Sequence, residues 1–495
     1  MVETFSSGSR ELRNMVRSNR RFAHDTDSLR AARLVGGPTI RRNRFRRSPS
    51  FKRVVSITAA MAEAPDRSLP KQSEDWGDLK AAYRFLNNPK ARPDRIQQTH
   101  RRLVRQRCRA CSVVLAVQDT TELDFTAHRT VEGLGPIGNG RGHGLLQHST
   151  LAIHPKGDLI GVLHQIWRPR VPVGDGETRS QRLARPRESD FWPESVRAIG
   201  SLGADTRLIH VTDRGGDLFE TMVACGEQEH TGFLIRSQHD RWVNGGTDKL
   251  RAYLAKQPVA GYRDVPIPTR NGQPGRIARV SIRFASVSLD PPCRDPRFTK
   301  PMAVWAVYAL EENPSEGVEP IAWMLLTSES VETLEEACTR VDWYGLRWVI
   351  EEWHRVEKTG CQLEATQLKT AGAIERWAAL VAICAVRLLQ LRNLAQSAVG
   401  QEREEPDSPA HQPVTLQAMV PPTWLLIVAK LAQSAADTLT PRQFWLTIAK
   451  RGGFIARKND GPPGWMTIWR GWYDIMMMVH GVELLGVSPQ PKSCG

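Results

Sequence analysis

Hydrophobic and polar positions along this chain change period three times. From Ser48 the spacing is helical, with Val54, Val55, Thr58, Met61 and Ala62 on one face. Asp75 to Leu86 predicts a second helix, stopped by Asn87-Asn88-Pro89. A third opens near Pro93, because a first helical turn tolerates proline, and runs to about Arg107. It carries Arg101, Arg102, Arg105 and Arg107, a basic face suited to docking on DNA or simply to solvation. Continuous apolar runs then replace the helical period. Ser112 to Gln118 predicts a buried strand ending at Asp119, and Arg207 to Thr212 another ending at Asp213. Ser149–His154 and Leu159–Trp167 predict a hairpin across Pro155 to Asp158, and Gly232–Ser237 a further strand.

These runs, with a helix-bearing connection between them, predict a mixed α/β sheet. Residues 238–320 are punctuated by Pro and Gly around alternating Val280, Ile282 and Phe284, and predict a β-rich insertion. A long helix is expected from about Val331 to Glu357. After Thr370 the chain is helical again. Ala373 to Leu394 is followed by a polar linker, Gln401 to Pro413, and a block bearing Trp445, Trp465, Trp469 and Trp472. Such tryptophans are expected mainly in a core, with part of that surface as a candidate dimer interface.

Composition adds one asymmetry. The net charge is +15, and residues 1–53 hold thirteen Arg and one Lys against four acids, a net +10 in the first tenth of the chain. A basic arm over 1–47 suits a polyanion, nucleic acid before an acidic membrane, with a solubilising leader as the bland alternative. No run spans a bilayer, since the best, Trp377 to Val386, has ten residues where about 20 are needed. The Arg-rich start has no apolar signal core, so secretion is not expected, and the scattered cysteines read as reduced thiols of a cytoplasmic protein. Only Cys108 and Cys111 among the eight cysteines have metal-like spacing, and no second pair answers them nearby.

The densest chemistry lies between Asp342 and Lys358. On one continuous helix Tyr344, Arg347, Glu351 and Lys358 fall within about 60° of one another. A phenol and two cations suit phosphate, and a carboxylate among them suits a metal ion. Trp343, Trp348 and Trp353 flank the face. Two strand-end aspartates and a helix glutamate, Asp119, Asp213 and Glu351, could converge as oxygen ligands for Mg²⁺, and two such ions suit phosphodiester transfer. A single aspartate at a strand end is more often a turn cap. Asp217, four residues on, is the alternative to Asp213, which fits better because it directly ends the apolar run.

At Asp119-Thr-Thr, Asp213-Arg-Gly-Gly-Asp217 and Tyr344-x2-Arg347-x3-Glu351-x6-Lys358 the sequence resembles the Tn-five-like DDE transposases of the insertion-sequence-four family. Lys80 to Pro89, Gly161 to Pro169, Val386 to Arg392 and Gly452-Gly-Phe support the likeness, which covers roughly residues 50 to 480. Residues 1–47 match nothing in that pattern. The resemblance implies an RNase H-like core (108–372, with the insertion at about 238–320) between a helical DNA-binding domain (48–107) and a helical C-terminal dimerisation domain (373–495). It implies Asp119, Asp213 and Glu351 as the catalytic, metal-binding triad for two Mg²⁺ ions, with Mn²⁺ as substitute. Tyr344, Arg347 and Lys358 would hold DNA phosphates, with Trp348 beside them and Arg236 as a further contact. Trp323 matches the position that stacks on a flipped base, or else is a buried strand tryptophan. The implied activity is cut-and-paste transposition by a homodimer on double-stranded DNA. The rivals are an RNase H-like nuclease without strand transfer and a non-catalytic DNA-binding inhibitor.

Overall fold

The structure, a computed structural model, describes residues 53–484 except 55, 59, 62–64, 74, 172–175, 179–180, 182–184, 268–274, 293–294, 316, 401–415, 417–419, 421 and 458–459. The basic arm, Val55, Ala62 and the linker from Gln401 lie outside the described residues. The described residues form two compact units, one within 93–355 and 367–375, the other within 53–92, 356–366 and 376–484.

The first unit is mixed α/β. It opens with α2 (Pro93–Cys108), following α1 (Trp76–Leu86) of the other unit. Among the described residues its sheet has twelve strands: β1 (Val113–Asp124), β2 (Gly135–Ile137), β3 (Gly142–Ile153), β4 (Leu159–Arg168), β5 (Arg207–Thr212), β6 (Thr231–Arg236), β7 (Trp242–Val243), β8 (Asp248–Lys249), β9 (Gly261–Ile267), β10 (Arg276–Leu289), β11 (Met302–Leu310) and β12 (Ala322–Thr327). The order is β2-β3-β1-β5-β6-β12-β11-β10-β7-β8, with β4 on β3 and β9 on β10. β1, β5 and β6 run parallel, and the neighbours on either side are antiparallel. Helices α3 (Phe191–Ile199), α4 (Phe219–Gly226) and α5 (Leu250–Ala255) lie between strands in sequence. Val196, Met222, Cys225, Phe233, Ile235 and Leu326 share one buried cluster. Val104 and Cys108 of α2 share another with Val114, Ala116, Leu163 and Leu208. The parallel strands at the centre bury what their apolar runs promised, Val114 to Gln118 of β1, Leu208 to Thr212 of β5 and Thr231 to Ile235 of β6, because both faces are covered there. The segment expected as an insertion is not a separate sheet: β11 and β10 continue the main one beyond β12.

Three expectations need correction. First, β1 does not end at Asp119 but runs on to Asp124. Its parallel partner β5 accompanies it only to Val117, opposite Val211, while β3 pairs with it through Asp124. The apolar run stops where the strand loses one neighbour, so a change of environment was legible and a strand end was not. Second, the helix expected over 331–357 is two, α6 (Leu334–Gly345) and α7 (Trp348–Arg355). A Thr333–Glu336 capping box starts α6. It ends at Gly345, a poor helix former, where the Arg347 N–H donates to the Tyr344 carbonyl three residues back at 3.0 Å. Third, much of the basic face of α2 turns inward. Arg105 donates to the carbonyls of Ile199 and Ser201 at 2.8 and 2.9 Å, and Arg101 bonds Gln97 and Asp94.

The second unit is helical. Positions 53–61 that are described are helical, with Ile57 and Met61 buried. Asp75 caps α1 by accepting from the Asp78 N–H at 2.8 Å, and Asn87 closes it. A π turn, Val356–Gly360, follows α7. Then come α8 (Ala371–Gly400, of which residues from 376 belong to this unit), α9 (Pro422–Leu431), α10 (Pro441–Arg451) and α11 (Trp465–Leu484). Trp424, Trp445 and Trp472 form its core, with ring centroids 4.4 and 5.6 Å from Trp472. No described helix is long and apolar enough to cross a membrane. Cys108 and Cys111 are free thiols, and burial first, then Cys111, pushes Cys108 up to about 12.

Candidate active site and nucleic-acid interface

Asp119, Asp213 and Glu351 come from three elements of the α/β unit. Asp119 stands on β1 opposite Ser149, just past the last β1–β5 pair, with its side chain largely buried. Asp213 directly follows β5 and caps a tight turn, accepting from the Gly215 N–H at 2.8 Å. Glu351 is on α7, which lies against β1. Gly216 is required there because a Cβ would overlap Thr212.

Electrostatics ties the three together. Burial, then the Asp119 charge and more weakly Glu351, hold the Asp213 carboxyl above its ordinary range. Burial would raise Asp119 too, but His354, and Arg347 behind it, outweigh burial and hold it below the usual carboxylate range. His354 Nδ1 is 3.6 Å from Asp119 Oδ2. Burial disfavours the charge of Arg347, yet Tyr344, Glu351 and Asp119 more than offset it and raise its pKa. Arg347 forms an ion pair with Glu351 one helical turn on, and its guanidinium lies 5.2 Å from the Trp348 ring centroid.

The phenol of Tyr344 is buried, which raises its pKa against the opposing pull of Arg347 and Arg236. Arg236, at the end of β6, lies near enough to that phenol to stabilise its charged form, and reaches the Ala322 carbonyl at 3.4 Å. Trp323 is 5% exposed and meets Tyr344 edge-on at 4.9 Å. In this conformation its ring faces the interior. Lys358 belongs to the helical unit, on the π turn, with Nζ 3.4 Å from Glu364. The α/β unit thus gathers Asp119, Asp213, Glu351, Arg347, Tyr344 and Arg236, and it does not include Lys358.

Oxygen donors alone, in mutual repulsion, are the donor set of a hard divalent cation. Among the described residues no group of three or more His, Cys, Asp or Glu side chains is already arranged to hold a metal ion, and Glu351 is paired with Arg347 instead. The donor chemistry fits, and the cation that now offsets the carboxylates is a guanidinium.

Two sets of residues escaped the sequence reading. Behind Asp119 runs a buried polar relay: Thr120 Oγ1 to His148 Nδ1 at 2.7 Å, His148 Nε2 to Gln118 Oε1 at 3.0 Å, and Gln118 Nε2 to His210 Nδ1 at 2.7 Å. Polar residues inside apolar runs were its signal. In the helical unit Trp76, Lys80 and Arg84 recur every fourth residue on the solvent side of α1, whose other side buries Ala82, Phe85 and Leu86. Trp76 is 73% exposed. Residues 49–91, which include this helix, match the family model described as Transposase DNA-binding. The match supports a transposase and DNA as the partner of this chain.

Proposed function

We propose that this chain is a DNA transposase of the insertion-sequence-four type, performing cut-and-paste transposition on an RNase H-like core. The observation that carries the reading is the shared field of Asp119, Asp213 and Glu351 beside Arg347, in a chain with a transposase DNA-binding segment. The three carboxylates would hold Mg²⁺, or Mn²⁺ in its place, which when bound supplies Lewis-acid activation of the attacking and leaving oxygens. Arg347 and Tyr344 bind phosphate oxygens of the scissile strand, and Arg236 orients the phenol. Trp348 lines the approach, and a phosphate contact by Lys358 follows from the family resemblance alone.

Each step breaks one phosphodiester P–O bond and forms one P–O bond, to water in the two hydrolyses, which leave a 3′-hydroxyl and a 5′-phosphate, and to a 3′-hydroxyl in the two transesterifications. Water cleaves one strand and leaves a 3′-hydroxyl; that hydroxyl attacks the opposite strand, closing a hairpin. The hairpin is hydrolysed, and the freed 3′-ends attack target DNA. Hairpin closure, Trp323 as the base-stacking residue and a synaptic homodimer follow from the family resemblance. The exposed Trp76–Lys80–Arg84 face is the surface of α1 best suited to duplex DNA, since cations position on phosphates and an aromatic can wedge or stack.

A non-catalytic DNA-binding inhibitor is the second reading, favoured by the engagement of Glu351 with Arg347. Strand cleavage on DNA carrying the element's terminal inverted repeats separates the two. Mg²⁺-dependent cutting at the repeat ends is expected for wild type, and Glu351→Gln should bind but not cut. Cutting that persists in Glu351→Gln would overturn the triad, and binding without cutting in wild type would favour the inhibitor.

A further inference from the structure

Asp217 is an acidic residue of the Asp213 turn that the proposed chemistry does not use, and it is 1% exposed. Its carboxylate is saturated by donors from one strap, the segment after β6. It accepts from Ser237 Oγ at 3.2 Å, the Gln238 N–H at 2.7 Å, the His239 N–H at 2.9 Å, and Arg241 Nη1 at 2.6 and 2.7 Å. Arg241 Nη2 also donates to the Asp217 carbonyl at 2.8 Å, so one guanidinium grips both side chain and backbone. The strap is itself anchored, because the Ser237 N–H donates to the Met324 carbonyl of β12 at 2.7 Å.

Between Asp213 and Asp217 lie Arg214, Gly215 and Gly216. A Gly-Gly turn has little conformational preference of its own, so its shape is set by what holds its ends. One end is Thr212, the last residue of β5, and the other is Asp217. Gly215 is close to the Trp192 ring, which a Cβ there would meet at 3.0 Å. We propose that Asp217 and Arg241 are positioning residues: their buried clasp fixes the glycine turn so that the Asp213 carboxylate is held for cation binding. The same clasp fixes the strap that begins at Ser237, directly after Arg236, coupling the aspartate to the phosphate-contacting side of the site.

This rests on the metal-binding reading of Asp213, and Tb³⁺, a hard oxygen-seeking probe, tests both. Trp192 beside the turn would sensitise Tb³⁺ luminescence in the full-length protein. Arg241→Met, which frees the far end of the turn rather than a partner of Asp213 itself, should raise the half-saturating Tb³⁺ concentration about tenfold, the lower end of what losing a ligand's direct partner costs. Arg241→Lys keeps the buried charge without the two-armed grip, so it should remain folded and shift by about threefold. Asp213→Asn should abolish the signal. Wild-type Tb³⁺ affinity in Arg241→Lys, or in Arg241→Met with native near-ultraviolet dichroism, would overturn the clasp proposal. A wild-type protein with no saturable signal, or Asp213→Asn binding like wild type, would overturn the metal-site reading instead.

Discussion

Acid should unfold the α/β unit through histidines it has buried uncharged. Burial holds His148 at about 3 and His210 at about 3, against an ordinary 6.5, although Asp119 pulls His148 the other way. With the folded pKa below the unfolded one, the stabilising contribution is complete above pH 6.5 and is lost as pH falls from there toward 3. At pH 5.0 each such group forfeits about 2 kcal/mol relative to pH 7.5. His164, held down to about 4 by burial first and then Arg101, adds a similar loss. The three together remove roughly 6 kcal/mol, comparable with the whole stability of many domains. The relay makes the loss hard to escape. Gln118 donates to His210 and accepts from His148, so a flip of its amide can accommodate one imidazolium and not two. Urea titrations at both pH values, in wild type and His210→Leu, isolate one term. Whatever the substitution costs at pH 7.5, the variant should lose about 2 kcal/mol less than wild type between pH 7.5 and 5.0. Equal losses in the two proteins would refute the reasoning.

Replacing Lys80 and Arg84 together by alanine should weaken binding to duplex DNA irrespective of sequence and flatten the salt dependence by about 1.8 in log–log slope, as loss of two phosphate contacts requires. A fluorescence-anisotropy titration at several salt concentrations checks it, and an unchanged slope removes α1 from the interface. Trp323→Ala should cost about 3–5 kcal/mol of stability, because the ring is buried against Tyr344. At a temperature where the variant stays folded, it should impair hairpin closure more than first-strand nicking; equal loss at both steps would leave Trp323 a core residue only.

The sequence by itself determined where chemistry-bearing residues fall relative to buried elements. The apolar runs into Asp119 and Asp213 marked strands because burial on both faces demands uninterrupted hydrophobicity, and β5 ends where its run ends. Helix boundaries at Asp75 and Asn87 were likewise legible, since capping is local chemistry. What needed tertiary structure was everything set by neighbours distant in sequence. The end of β1 depends on β3, which supports it past Asp119 after β5 has left. The helical-wheel face of Tyr344, Arg347, Glu351 and Lys358 presumed one rod, whereas the chain breaks at Leu346 and widens into a π turn at Val356. In sequence Asp213 is preferable to Asp217 only because it directly ends an apolar run. Only folding gives Asp217 a saturated set of donors from a strap 20 to 24 residues away and leaves Asp213 beside two more carboxylates, because hydrogen-bond partners are assigned by packing and not by spacing along the chain.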